Sequence, residues 1–95
     1  MVVRVLDLCH LADTNAQGDI LYNAVKSCVE DHKNVVVDFS GVGYATSSFA
    51  NSFLGPLVES YGVTRVKQRV KIINVSRTVK YVLKKSMQPF ENLAA

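Results

Sequence analysis

Residues 34–53 read Asn-Val-Val-Val-Asp-Phe-Ser-Gly-Val-Gly-Tyr-Ala-Thr-Ser-Ser-Phe-Ala-Asn-Ser-Phe. Val35, Val36 and Val37 form an uninterrupted β-branched run, extended by Asp38 and Phe39. A strand without polar alternation is one covered on both faces, which predicts the centre of a parallel sheet. Ser40-Gly41-Val42-Gly43 then reads as a turn. Thr46, Ser47 and Ser48 place three hydroxyls ahead of a helical pattern in which Phe49, Phe53 and Leu57 recur four apart. In open α/β sheets the ground just beyond the C-terminal end of a buried strand is where sites are built.

Outward from this stretch, Val2–Leu8 alternates well enough for a flanking strand, and its polar members keep it from the centre. Thr14 and Gln17 have capping-box spacing, so a helix starts near residue 14. Its pairs Ile20/Leu21, Ala24/Val25 and Cys28/Val29 recur every four residues and make one apolar stripe. Gly18 in its early turns costs about 1 kcal/mol of helix propensity relative to Ala, which points to close approach of a neighbouring element. The second helix is predicted over Ser48–Tyr61, with Pro56 inside it and Gly62 as its stop. Val63–Gln68 reads as a loop or an irregular approach, Arg69–Asn74 as the third strand, and Ser76 as the cap of a third helix ended by Gln88-Pro89, with Pro89–Ala95 frayed.

The fold class is therefore α/β, a small, mostly parallel sheet in βαβαβα order with right-handed connections, in one domain over residues 1–95 whose core spans about 2–87. If the helices lay on one face only, exposed valines and isoleucines on the other would imply an added edge strand, a covering tail or a partner.

The chain has 95 residues, 48% hydrophobic and 20% charged, the composition of an ordinary globular domain. No apolar run approaches the roughly 20 residues of a membrane span, and Met1-Val2-Val3-Arg4 has no leader character, so the expected location is the cytoplasm. Cys9 and Cys28 lack metal-site spacing and read as two small thiols of a reducing compartment, with His10 beside Cys9 too little for a ligand set. Gly41 and Gly43 form neither GxGxxG nor a P-loop, and His10 and His32 lie outside the strand-end loops, so no cofactor and no catalytic set is expected.

Charge is unevenly spread. Residues 1–62 carry three Lys and Arg against seven Asp and Glu, net −4, whereas residues 63–95 carry eight against Glu91, net +7. Arg65, Lys67, Arg69 and Lys71 alternate with Val66, Gln68, Val70 and Ile72, so an extended segment would project all four cations to one side. With Arg77, Lys80, Lys84 and Lys85 they form a basic face that suits a solvated edge, an acidic protein partner or nucleic acid, although no nucleic-acid-binding motif accompanies it.

Val35–Phe49, followed by a helix and by Val70-Lys71-Ile72-Ile73-Asn74-Val75-Ser76, resembles the STAS domain of anti-sigma factor antagonists and of sulphate-transporter tails. More closely, it is similar to the STAS-like family of unknown function found in small bacterial proteins. The points of likeness are Gly18, Asp38-Phe39-Ser40-Gly41-Val42, Ser47-Ser48-Phe49, Tyr61-Gly62 and Ile72-Ile73-Asn74, spread over residues 14–87. Anti-sigma factor antagonists carry Asp-Ser-Ser-Gly at the start of the second helix, and a GHKL-type kinase phosphorylates the first Ser. In this chain Thr46 stands at the Asp, Ser47 and Ser48 at the two Ser, and Phe49 at the Gly, so two of the four positions depart.

The resemblance implies a non-enzymatic regulatory module that meets a GHKL-type kinase or an anti-sigma-like regulator. Ser47, with Ser48 beside it, is then the phosphorylation candidate, displayed by an interaction loop of Asp38, Gly41, Gly43, Thr46 and Phe49. The residues themselves also admit a plainer reading, in which Ser47 or Ser48 is an N-cap. Asp38 either braces the turn or positions a Ser hydroxyl. The alternatives are a nucleic-acid accessory role for the basic third and a structural homodimer joined through the sheet face or edge.

Overall fold

The computed structural model describes residues 1–9 and 12–94, with side chains described as far as Pro89. The elements in chain order are β1 (Val2–Arg4), α1 (Val5–Leu8), α2 (Asn15–Glu30), β2 (Val35–Asp38), α3 (Ser47–Tyr61), α4 (Val63–Arg69), β3 (Val70–Ile73) and α5 (Arg77–Ala94). The three strands form one parallel sheet in the order β1-β2-β3, so the triple-valine strand is central. Val2, Val3 and Arg4 stand beside Val36, Val37 and Asp38, and Val35 to Asp38 stand beside Val70 to Ile73.

The α/β class and the parallel sheet match the sequence expectation, but the order is βααβααβα, with two helices the periodicity did not reveal. Val2–Leu8 is strand only as far as Arg4. Beyond Arg4 a ladder partner would have to come from the chain after Asp38, which turns away there, and Val5–Leu8 closes its own bonds instead, with Cys9 N–H donating to the Val5 carbonyl at 2.8 Å. Val63–Gln68, expected as loop, is α4. Its apolar residues Val63 and Val66 keep helical spacing with Val70 just beyond its end, and Gly62, at φ 85°, ends α3 and lets the chain restart at once. Finally, α5 runs through Pro89 to Ala94, so the expected fraying from Pro89 is corrected. Proline there forgoes a bond to the carbonyl of Lys85, and both residues are exposed, where water can serve that carbonyl. Ala95 and His10 lie outside the described residues.

Strand β2 is not covered on both faces. Val35 and Val37 are fully buried with Val3 and Val70 on the side of the helices. On the other side Val36 and Asp38 are half-buried, Arg4 and Lys71 are exposed, and Val2 is 67% exposed. The helices cover one face, and an outer strip of Val2, Val36 and Ile73 between charges stays open. Phe39, Phe49, Phe53, Leu21, Leu57 and Val79 lie fully buried in the core between sheet and helices. Each such side chain contributes about 1.5–3 kcal/mol on burial.

Helices α2 and α3 make the most extensive helix pair. Gly18 permits it, since a Cβ there would meet the Phe49 carbonyl oxygen and come within 2.7 Å of Ser52 Cβ. The start of α2 is capped by Thr14 Oγ1, which accepts from Gln17 N–H at 3.2 Å. The returning bond of the capping box lands one residue early, Gln17 Oε1 accepting from Asp13 N–H at 3.1 Å. Ser76 caps α5 as its position implies, its Oγ accepting from Val79 N–H at 3.1 Å.

Candidate functional site at the start of the second long helix

The turn after β2 is built on Asp38. Its Oδ1 accepts from Ser40 Oγ at 2.5 Å, Ser40 N–H at 2.9 Å and Asn74 Nδ2 at 3.1 Å. The carboxylate therefore braces its own turn and ties the end of β2 to the end of β3, where Asn74 sits in the left-handed region at φ 54°. Both open readings of Asp38 hold in one sense: it takes backbone and hydroxyl donors together, and the hydroxyl is that of Ser40. The Ser40 hydroxyl, the Asn74 amide and the Ser40 N–H hold the Asp38 carboxyl below its ordinary value of 3.8, in that order of importance, with help from the charge on Arg4.

A depressed carboxyl contributes stability that is fully present above its unfolded pKa and is lost as pH falls through the folded one. Asp38→Asn should therefore melt below the wild type by a constant interval above about pH 5. That interval should close as pH drops below 3.8, as thermal unfolding across an acid series would show. An interval independent of pH would mean that the charge on Asp38 is irrelevant to the turn.

From the Asp38 turn the chain passes exposed Gly41, Gly43 and Tyr44 to Thr46, whose N–H donates to the Ala12 carbonyl at 2.9 Å and ties this loop to the start of α2. A Cβ on Gly43 would meet nothing within 4 Å, so the loop stands clear of the body there.

The N-cap of α3 is Thr46. Its Oγ1 accepts from Phe49 N–H at 3.2 Å, and its carbonyl accepts from Ala50 N–H at 3.1 Å. This corrects the expectation that Ser47 or Ser48 is the cap, and it moves the helix start to Ser47. Ser47 and Ser48 occupy the first two helical positions, exposed. Their N–H groups have no intrahelical acceptor, because a helix leaves its first donors unpaired.

The interaction loop needs one further correction, because Phe49 is fully buried with its ring 6.4 Å from that of Phe53. A phenylalanine one turn into an amphipathic helix was legible as core from its spacing to Phe53 and Leu57. What the structure brings together at the surface is Gly43, Tyr44, Ser47 and Ser48, with Gly41 and Asp38 in the preceding turn.

The two serines differ in surroundings. Ser48 lines a groove of 680 Å3 between α2, α3 and α5, with Asp19, Asn51, Glu59 and Ser86. Ser86 Oγ, nearly buried, bonds Asn51 Oδ1 at 2.6 Å across it. Ser47 lies outside that groove.

The basic face does not form as expected, since helical α4 sends its cations to different sides. Arg65 and Arg69, one turn apart, reach back to the end of α2. Arg65 Nη2 donates to the Glu30 carbonyl at 2.9 Å and lies 2.6 Å from His32 Nε2, with its guanidinium 5.4 Å from the Tyr61 ring centre. Arg69 Nη1 donates to Asn34 Oδ1 at 3.1 Å. These two arginines clamp the α2–β2 connection, Lys67 turns toward α5, and Lys71 stands on the open face of the sheet.

Cys9 and Cys28 are both buried, and burial pushes the Cys9 thiol up, away from nucleophilic character. Among the described residues no three His, Cys, Asp or Glu are placed to hold a metal ion. Among them, too, no helix is long and apolar enough to cross a membrane.

A three-stranded parallel sheet with helices on one face and a capped, hydroxyl-bearing helix start beyond its central strand defines a small mixed α/β domain of STAS-like character. The family model for STAS-like domains of unknown function matches residues 17–80, and the chain belongs to that family. Comparisons with curated proteins and with solved structures find no match.

Proposed function

We propose that this domain is a non-enzymatic, protein-binding regulator whose docking loop, Gly43 to Ser48, is switched by phosphorylation of Ser47. The observation that carries the reading is that Thr46 does the capping, which leaves the exposed Ser47 hydroxyl without a part in holding the fold. The likeness to anti-sigma factor antagonists supplies the partner class, a GHKL-type kinase. The partner would bring ATP, the γ-phosphoryl group would pass to Ser47 Oγ with ADP leaving, and a base on the partner would take the hydroxyl proton.

At the first helical position a phosphate meets unpaired N–H groups and the positive end of the helix dipole, worth about 0.3–1 kcal/mol. It also sets about two negative charges in the loop, which expels a partner shaped for a neutral surface. Ser48 suits the role less, because a phosphate there would face Asp19 and Glu59 in the groove.

Incubation with GHKL-type kinases and ATP should add one phosphate that Ser47→Ala abolishes and Ser48→Ala leaves in place. Ser47→Asp should weaken partner binding about tenfold or more. An unmodified Ser47, together with Ser47→Asp binding every partner as wild type does, would sink the switch. The open strip of Val2, Val36 and Ile73 favours a second reading, self-association through the sheet face. Sedimentation that is concentration-dependent in the wild type and lost in Val2→Lys would support it.

A further inference from the structure

Another flank of α5 closes over α4 and β3 and leaves a groove of 270 Å3. Its floor is apolar, made chiefly by Val66, Val70, Ile72, Leu83 and Met87. Leu54 and Val75 complete the apolar part, and among the described residues the only polar groups lining it are the lysines Lys67, Lys80 and Lys84, with no acidic residue among them. Past Met87 the groove continues to Gln88 as a further 350 Å3 between Lys67 and Lys84.

Lys80 and Lys84 lie one helical turn apart, a spacing at which like charges repel. Neither ammonium has an ion-pair or aromatic partner among the described residues, whereas Lys85 on the adjoining face sits 5.7 Å over the Tyr81 ring. A cationic rim over a hydrocarbon floor is complementary to an acidic head on an apolar tail. An anion there would relieve the repulsion while its tail covers exposed carbon.

We infer that this groove binds a small amphipathic anion free in solution, of the class of medium-chain acyl carboxylates, with its head between Lys80 and Lys84 and its tail along Val66, Val70 and Leu83. The volume, 270 Å3, falls just below the roughly 300–1,000 Å3 of drug-sized small-molecule sites, which suits a slim ligand, and a docked helix, about 10–12 Å across, is too wide for it. A nucleotide or nucleic acid is a poor fit, because among the described residues the lining of the 270 Å3 groove holds no aromatic ring for stacking and no amide or hydroxyl side chain for reading a base.

The test is a titration of methyl-labelled protein with decanoate below its micelle concentration, followed by NMR. Parallel arms use 1-decanol, decyltrimethylammonium, and vesicles of phosphatidylglycerol and phosphatidylcholine. Decanoate should give saturable shifts confined to Val66, Val70, Leu83 and Met87, about tenfold weaker for decanol and absent for the cation. The exposed pair Lys80→Gln/Lys84→Gln should fold normally by circular dichroism and lose about tenfold in affinity, whereas Ser47→Asp should bind as wild type does. Equal binding of decanol and decanoate, unsaturable shifts across the whole domain, response to vesicles alone, or full affinity in the lysine variant would each overturn the assignment.

Discussion

Phe49→Ala should cost about 3–5 kcal/mol of folding free energy, the largest effect expected of any single change near the docking loop. The ring is wholly enclosed and packs on Phe53, so removing it leaves a void that neighbours anchored on two helices and a sheet cannot collapse to fill. A domain of this size holds in all about 5–15 kcal/mol. Urea unfolding should show a midpoint that falls steeply at nearly constant slope, and the melting temperature should drop by more than about 12 °C. This outcome separates two roles. Were Phe49 a contact for partners, the variant would melt as wild type does and lose only binding.

Gly18→Val should be nearly as damaging, at about 3 kcal/mol or more, through overpacking. A Cβ at Gly18 runs into the Phe49 backbone carbonyl and, at 2.7 Å, Ser52 Cβ, and backbone cannot step aside as the end of a flexible side chain can. Helices α2 and α3 would have to separate, opening the layer that holds Leu21, Phe49 and Phe53. Gly55→Ala is the matched control. Gly55 also sits inside a helix, a Cβ there meets nothing within 4 Å, and Ala should stabilise by about 0.5–1 kcal/mol through helix propensity. Opposite signs for the two glycines in one denaturation series would establish that crowding, not propensity, rules at Gly18. A Gly18 variant of wild-type stability would show that the helices can part without cost.

The parts of the fold legible in the chain were those with one dominant local signal. The valines of β2, the stripe of α2, the caps at Thr14 and Ser76 and the stop at Gly62 each followed from chemistry within a few residues. What escaped depended on partners distant in sequence. Val2–Leu8 alternates throughout, yet only its first half finds a neighbour, because Asp38 ends the strand it pairs with. Residues 63–72 carry a period of two in their cations and a helical period in Val63, Val66 and Val70. Packing of Val66 into the core and the reach of Arg65 and Arg69 to Glu30 and Asn34 favour the helix.

At the site, three consecutive hydroxyls marked the helix start but could not say which one caps it. Thr46 takes that place because its own N–H is held by the Ala12 carbonyl, a contact between segments 34 residues apart. The lysine-rimmed groove was equally hidden, since Lys67 and Lys84 meet only once α4 and α5 are folded.

The central strand has a kinetic corollary. Val36 takes one neighbour from Val2, 34 positions earlier, and the other from Lys71, 35 positions later. No hairpin can nucleate such a sheet, so two wide chain closures must occur before any ladder bond rewards them. Refolding should accordingly run in milliseconds or longer, well behind helical bundles of similar length.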